Sequence, residues 1–221
     1  MKHFIIVNVF LLFLVRSNCQ SSTVIDYSKG ICECLDSLNK TGDVETNFIP
    51  CLRLSVDRHL PEFILEVTKR YGDSTAENMT KFIEVLEIEV SIKLINSCTP
   101  YFMFTDSLKH QQYKNINRDS INKLLKKVES VSNTNRNKRY YECTSSLYFQ
   151  LGNYDKAMEN VEKILSEDSA DIMALFIKAS VMDSKKNYRE AIILYDKAAE
   201  LSHQNAFYLY SAIARRKMNG L

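Results

Sequence analysis

The sequence predicts an all-α protein, and three observations carry that prediction. Turn-forming residues are scarce, with 5 Gly and 3 Pro in 221 residues, too few for the many tight turns of a sandwich or barrel. Apolar residues recur at helical intervals along most of the chain rather than alternating. Finally, "LGNYDKA" at 151–157 is answered by "KKNYREA" at 185–191, so that Tyr154 and Tyr188, and Ala157 and Ala191, stand 34 residues apart. A period of that length belongs to a repeated structural unit rather than to a chemical motif.

The first residues read as a secretory leader. Lys2 supplies a charged start, Phe4 to Val15 is apolar except for Asn8, and Ser17 and Cys19 are small residues before a cut at Gln20. The apolar run, about 12 residues, falls short of the roughly 20 needed to cross a bilayer. Residues 1–19 are thus expected to be a signal peptide, and the mature chain to have no transmembrane helix. Two other endings stay open: an uncleaved anchor, or a lipid anchor at Cys19, although Arg16 stands where a lipoprotein signal wants an aliphatic residue. The expected location is secreted or periplasmic, at the cell envelope.

Loss of Lys2 and Arg16 with the leader takes the 29 basic residues to 27, against 27 acidic ones. A near-neutral chain gives no reason to expect nucleic acid as a partner. The segment 109–139 carries nine Lys or Arg against Asp119 and Glu129. It reads as a solvated basic helix and linker, with a patch for a polyanion or an acidic partner as the alternative.

Four of the remaining cysteines, Cys32, Cys34, Cys51 and Cys98, fall in the front half. In an oxidising compartment they read as two disulfides tying a small helical unit. Cys32 and Cys34 point to opposite sides of a helix, so each must reach Cys51 or Cys98. A zinc site is the alternative, but a C-x-C pair followed by two lone cysteines lacks the paired knuckles of structural zinc; no metal or other cofactor is expected. Cys143 is left over as a buried free thiol.

Along the chain, 20–26 is expected as an exposed tail, followed by a short helix carrying Ile31, Cys34, Leu35 and Leu38. Pro50 suits the first turn of the next helix, and Pro61 should kink or divide it. Ser74 and Glu77 form an expected capping box for a helix reaching about Ser97, with Met79, Phe82, Ile83, Leu86, Val90, Leu94 and Cys98 on one stripe. Tyr101, Phe102 and Phe104 read as core. Residues 105–132 supply one or two more helices with Ile121, Leu124, Leu125 and Val128 buried. The polar stretch "SNTNRNKR" at 132–139 marks the boundary between an N-terminal domain, 20–132, and a repeat region, 138–221.

Within the repeats, small residues are wanted where helices cross closely. Gly152, Ala157, Ala179, Ala191 and Ala198 meet that need, and Tyr154 and Tyr188 fill the space beside each turn. These segments resemble the tetratricopeptide repeat family over 138–171 and 172–205, with "AFYLYSAIARRKM" as a final capping helix. Thr144 and Ser145 depart from the family's usual Leu-Gly, Lys186 from its turn Gly, and Ser169 and His203 from its closing Pro. The resemblance implies a concave face, lined by Arg139, Glu142, Ser146 and Phe149, then Met173, Phe176, Ser180 and Asp183, then Phe207, Tyr210 and Lys217. It also implies a protein or peptide partner. The Lys and Asn pattern with which some relatives clamp a peptide carboxylate is missing. Met173, Phe176, Phe207 and Tyr210 would suit a hydrophobic segment, from a partner or from the protein's own front domain.

No catalytic constellation is legible. His59, His110 and His203 lack any recognisable nucleophile or metal partner in spacing, Glu84, Glu87 and Glu89 form a solvated flank, and no glycine-rich phosphate loop exists. The sequons at Asn39 and Asn78 say little. The expectation is an exported, non-enzymatic interaction or scaffolding module. The alternative is a small ligand-binding or enzyme-regulating front domain attached through the repeats, which a cavity lined by Phe82, Leu86, Phe102 and Phe104 would favour.

Overall fold

The computed structural model describes residues 22–38, 44–114, 116–131 and 136–220. Every regular element among them is a helix, and they form two compact units, divided between Leu94 and Ile95. That division falls well before the polar 132–139 stretch expected to separate the domains. The helices of 99–129 group with the repeats: Ile121 and Leu125 share a buried cluster with Leu147, Tyr148 and Ala157, and Lys109 pairs with Asp183.

The first unit holds α1 (Ser22–Leu38), α2 (Val44–Arg58), α3 (Leu60–Tyr71) and most of α4 (Ala76–Ser97). Of the expected tail at 20–26, residues 22–26 are instead the start of α1, with Val24 and Tyr27 fully buried, while 20 and 21 lie outside the described residues. Tyr27 earns its place in the core through hydrogen bonds at both ends: its hydroxyl donates to the His59 carbonyl at 3.1 Å, and its own carbonyl accepts from Ser55 Oγ at 3.2 Å. Burial, followed by the nearby Glu62 charge, pushes the Tyr27 phenol up to about 12. Gly30 allows α1 and α2 to approach, since a Cβ there would lie 3.0 Å from Ser55 Oγ. The Cys34–Cys51 disulfide joins the same two helices, and Cys32 and Cys98 are disulfide-bonded as well. Sulfurs bonded to each other are not thiolate ligands, which removes the zinc alternative.

Pro50 lies inside α2, a turn and more past its start, not in the first turn as expected. Pro61 does divide the helices, standing in the first turn of α3, which Gly72 closes at φ 90°. The start of α4 is also corrected. Thr75, not Ser74, precedes the helix and accepts from the Asn78 amide at 3.4 Å, while Glu77 pairs with Lys81 at 2.7 Å. Along α4 the predicted stripe is buried at Phe82, Leu86, Val90 and Leu94, but Ile83 is exposed and Met79 only partly covered. Phe82 packs edge-on against Phe63 at 5.2 Å, beneath the Arg70 guanidinium.

The second unit contains α5 (Thr99–Lys114), α6 (Arg118–Glu129), α7 (Lys138–Gln150), α8 (Tyr154–Glu167), α9 (Ile172–Ser184), α10 (Tyr188–Ser202) and α11 (Ala206–Met218). The 34-residue period is geometrically real: α7, α9 and α11 begin at 138, 172 and 206, and α8 and α10 at 154 and 188. The turns repeat bond for bond. Asn153 N donates to the Tyr148 carbonyl and Asn187 N to that of Met182, while Gly152 and Lys186 both adopt positive φ, 78° and 63°. Tyr154 and Tyr188 both open their second helices and are both half-buried.

Packing alternates up the stack. Ile121 and Leu125 of α6 join Leu147, Tyr148, Ala157 and Val181 in one cluster. Val161, Ile164, Ala174 and Ile177 form the next, and Ala179, Ala191, Ile192, Tyr195 and Ala214 the last. Ala157, Ala179, Ala191 and Ala198 have no exposed surface, as close crossing requires, but Gly152 is no crossing point: it is exposed in the turn, where an added Cβ would meet nothing within 4 Å, and its positive φ is what favours glycine. Of the expected α6 face, Leu124 is exposed instead of buried. Cys143 is free and only partly buried.

Candidate functional site

The face on which the sequence places partner-binding residues is built from α7, α9 and α11. Equivalent positions on helices 34 residues apart stack into a stripe, so Phe176, Phe207 and Tyr210 meet although two helices supply them. Phe176 lies 5.4 Å from Phe207 and 5.3 Å from Tyr210, ring centre to ring centre, and Tyr210 stacks on Tyr195 at 5.6 Å. These three expected partner-binding rings are half-buried in one another. Met173, in the same stripe, remains 54% exposed.

The polar half of the stripe is not open to solvent. Lys109 of α5 enters it, and its ammonium bonds the Asp183 carboxylate and donates to the Tyr195 hydroxyl at 3.1 Å. It also lies over the Tyr195 and Tyr210 rings at 5.0 and 5.1 Å. Lys217, expected on this face, pairs with Asp106 of α5 at 2.5 Å and stands 3.9 Å from Asp183. Ser180 shares a hydrogen bond with the Tyr195 hydroxyl. Burial, with the Asp183 charge second, drives the Tyr195 phenol far above its ordinary range. It therefore stays a neutral donor and acceptor wherever the protein is folded.

Two functional residues thus escaped sequence reasoning. Lys109 belongs to the basic stretch expected to be solvated, yet it is 8% exposed. Asp106 and Lys109 are three apart and share a helix face, but neither residue's sequence neighbours signal that the face is covered. The open remainder of the groove is a pocket of about 260 Å³ bordered by Arg118, Phe149, Tyr154, Ser180 and Asp183. Arg139 is exposed, and Glu142 and Ser146 are partly so.

α11 is anchored from its other side. The Arg216 guanidinium donates to the carbonyls of Ile95 and Cys98, at 2.5 and 3.0 Å, and to Thr99 Oγ1 at 2.9 Å, with Phe102 under its plane. The Ile95 carbonyl belongs to the C-terminal end of α4, where backbone acceptors lack intrahelical partners and carry partial negative charge, while the Cys98 carbonyl, just past that end, also accepts the Phe102 amide at 3.0 Å. Phe102 and Phe82 are thus committed to core contacts, unlike the four-residue cavity that the alternative reading required. A different apolar pocket, about 320 Å³, lies in the first unit between α2, α3 and α4, bordered by Ile49, Leu52, Val56, Phe63, Ile83 and Leu86.

A stack of near-identical helical hairpins with an inward-facing stripe defines a helical-repeat protein. Residues 145–171 match the tetratricopeptide repeat, a protein–protein interaction module, in the region where the resemblance was read. No curated protein and no solved structure matches the chain significantly. Among the described residues no helix is long and apolar enough to cross a membrane, and the disulfides are consistent with an oxidising, extracellular environment.

Proposed function

We propose that this chain is an exported, non-catalytic scaffolding protein whose repeat groove recognises a segment of another protein. The observation that carries the reading is the convergence of Phe176 on α9 with Phe207 and Tyr210 on α11 into one stripe, with Met173 exposed at its edge. Export is supported by the apolar leader and by cysteines that are oxidised in pairs. The test is affinity capture with the full-length protein and with Met173→Glu, a substitution at an exposed site that leaves melting unchanged. A partner captured by the first and lost by the second is expected; identical capture by both refutes the groove as the recognition surface. Intact mass of the exported protein reports cleavage before Gln20 or acylation at Cys19.

The pocket between α2, α3 and α4 favours a second reading, a front unit that holds a small apolar ligand. Saturable one-to-one binding of an anilinonaphthalene sulfonate dye, abolished by Ile83→Lys, would support it. Absence of such binding would remove it.

A further inference from the structure

The helix already lying in the groove shows what chemistry the groove accepts. On α5, Asp106 and Lys109 present an acid and a lysine three residues apart, and the repeats answer with Lys217 and Asp183. Buried ion pairs of this kind set orientation and register more than they add net stability, because desolvation offsets their attraction. Beneath the same helix the fit is incomplete. A pocket of about 210 Å³ remains between α5 and α11, bordered by Tyr101, Thr105, Leu108, Leu209 and Ile213. Thr105, which borders this space, is short and turns its hydroxyl to the carbonyls of Tyr101 and Phe102. Walls that face a void lose the dispersion contacts that a filled core would make. α5 thus satisfies the charges of the groove while leaving a partly open apolar recess against α11 unfilled.

We propose that the groove recognises a partner helix that carries an acidic residue and a lysine three apart, with a large apolar residue four positions before the lysine, and that α5 occupies the surface until such a helix displaces it. This rests on the reading of the repeats as a protein-recognition module. The partner matches α5 at both charges and exceeds it at the position of Thr105, where added methylenes leave water for an apolar pocket. Asp183 and Lys217 are the positions that select the charge order. A helix with the two charges reversed would place like charges together.

The experiment uses the full-length, oxidised protein and a fluorescein-labelled peptide with the sequence of residues 99–114 carrying Thr105→Leu. The wild-type chain is expected to bind this peptide weakly. The double variant Asp106→Ala/Lys109→Ala, which removes the charges of the resident helix, is expected to bind it at least about tenfold tighter. The same peptide with both charged residues changed to Ala is expected to lose that affinity. A third chain, Thr105→Leu, fills the space in cis and is expected to bind more weakly than wild type, and it serves if the double variant loses its helical circular dichroism. Equal binding by the wild type and both chain variants overturns the occupancy by α5 while leaving the groove as a receptor. Equal binding of the charged and uncharged peptides overturns the charge rule. No binding to any folded chain overturns both the inference and the recognition reading beneath it.

Discussion

Lys186 and Gly152 occupy the same place in successive turns with the same left-handed backbone, but only one is glycine. For an L-residue that conformation costs about 1–2 kcal/mol. Glycine avoids the cost but loses more freedom on folding, roughly 0.4–1 kcal/mol. Lys186→Gly should therefore stabilise the repeat unit by about 0.5–1 kcal/mol. The Lys186 side chain is exposed, so its loss forfeits little packing. The complementary change, Gly152→Ala, should destabilise by a similar amount. An added Cβ there meets nothing within 4 Å, so the backbone alone sets the effect. Urea unfolding followed by far-ultraviolet circular dichroism reads both variants, with midpoints moving in opposite directions. A Lys186→Gly midpoint at or below wild type, or an unaffected Gly152→Ala, would refute the claim that the two turns are equivalent.

Three further outcomes follow from the same structure. Cys34→Ser should cost the first unit about 3 kcal/mol, the loop-closure value for a sequence separation of 17, and reductant, which also frees Cys32 and Cys98, should lower the wild-type melting temperature by more than this variant does. Arg216→Ala should cost about 1–3 kcal/mol, because it strands the buried carbonyl of Ile95 while that of Cys98 keeps the Phe102 amide, and Arg216→Lys should recover only part of this since an ammonium cannot span three acceptors in one plane. Asp171 caps α9 by accepting from the Ala174 amide at 2.8 Å and pairs with Lys138 at 2.5 Å. Burial alone would raise its carboxyl, but the Lys138 bond and the backbone amides outweigh that and hold it below the usual range. Its contribution is present above the unfolded value of about 4 and is lost as the pH falls through the lower folded value. Asp171→Asn keeps a cap but removes the charge, so its deficit against wild type should be seen in urea midpoints at pH 7 and shrink toward pH 3.

The reach of sequence reasoning differs between the two units. In the repeats, most expectations rested on a local cause: Ala157 and Ala191 had to be small, and Phe176 and Phe207 had to share a stripe once the period was known, although Gly152, expected as small for a crossing, serves the turn by its positive φ instead. In the front half, Pro50 misled because a proline is tolerated at a first turn but also fits inside a helix that bends around it. Ser74 misled because it alone, three before Glu77, fits the capping-box pattern, whereas the backbone path makes Thr75 the residue that accepts from the Asn78 amide. Lys109 misled more deeply, since an ammonium among other basic residues carries no local mark of burial.

Periodicity and residue size, which act over a few residues, already specify a helical chain, its oxidised front half and the spacing of its stacked hairpins. Burial of a charge depends on what lies opposite it, and Asp183 is 74 residues from Lys109 in the chain. Only the packed helices bring those two together, and so only they show that α5 lies in the groove that the repeats form.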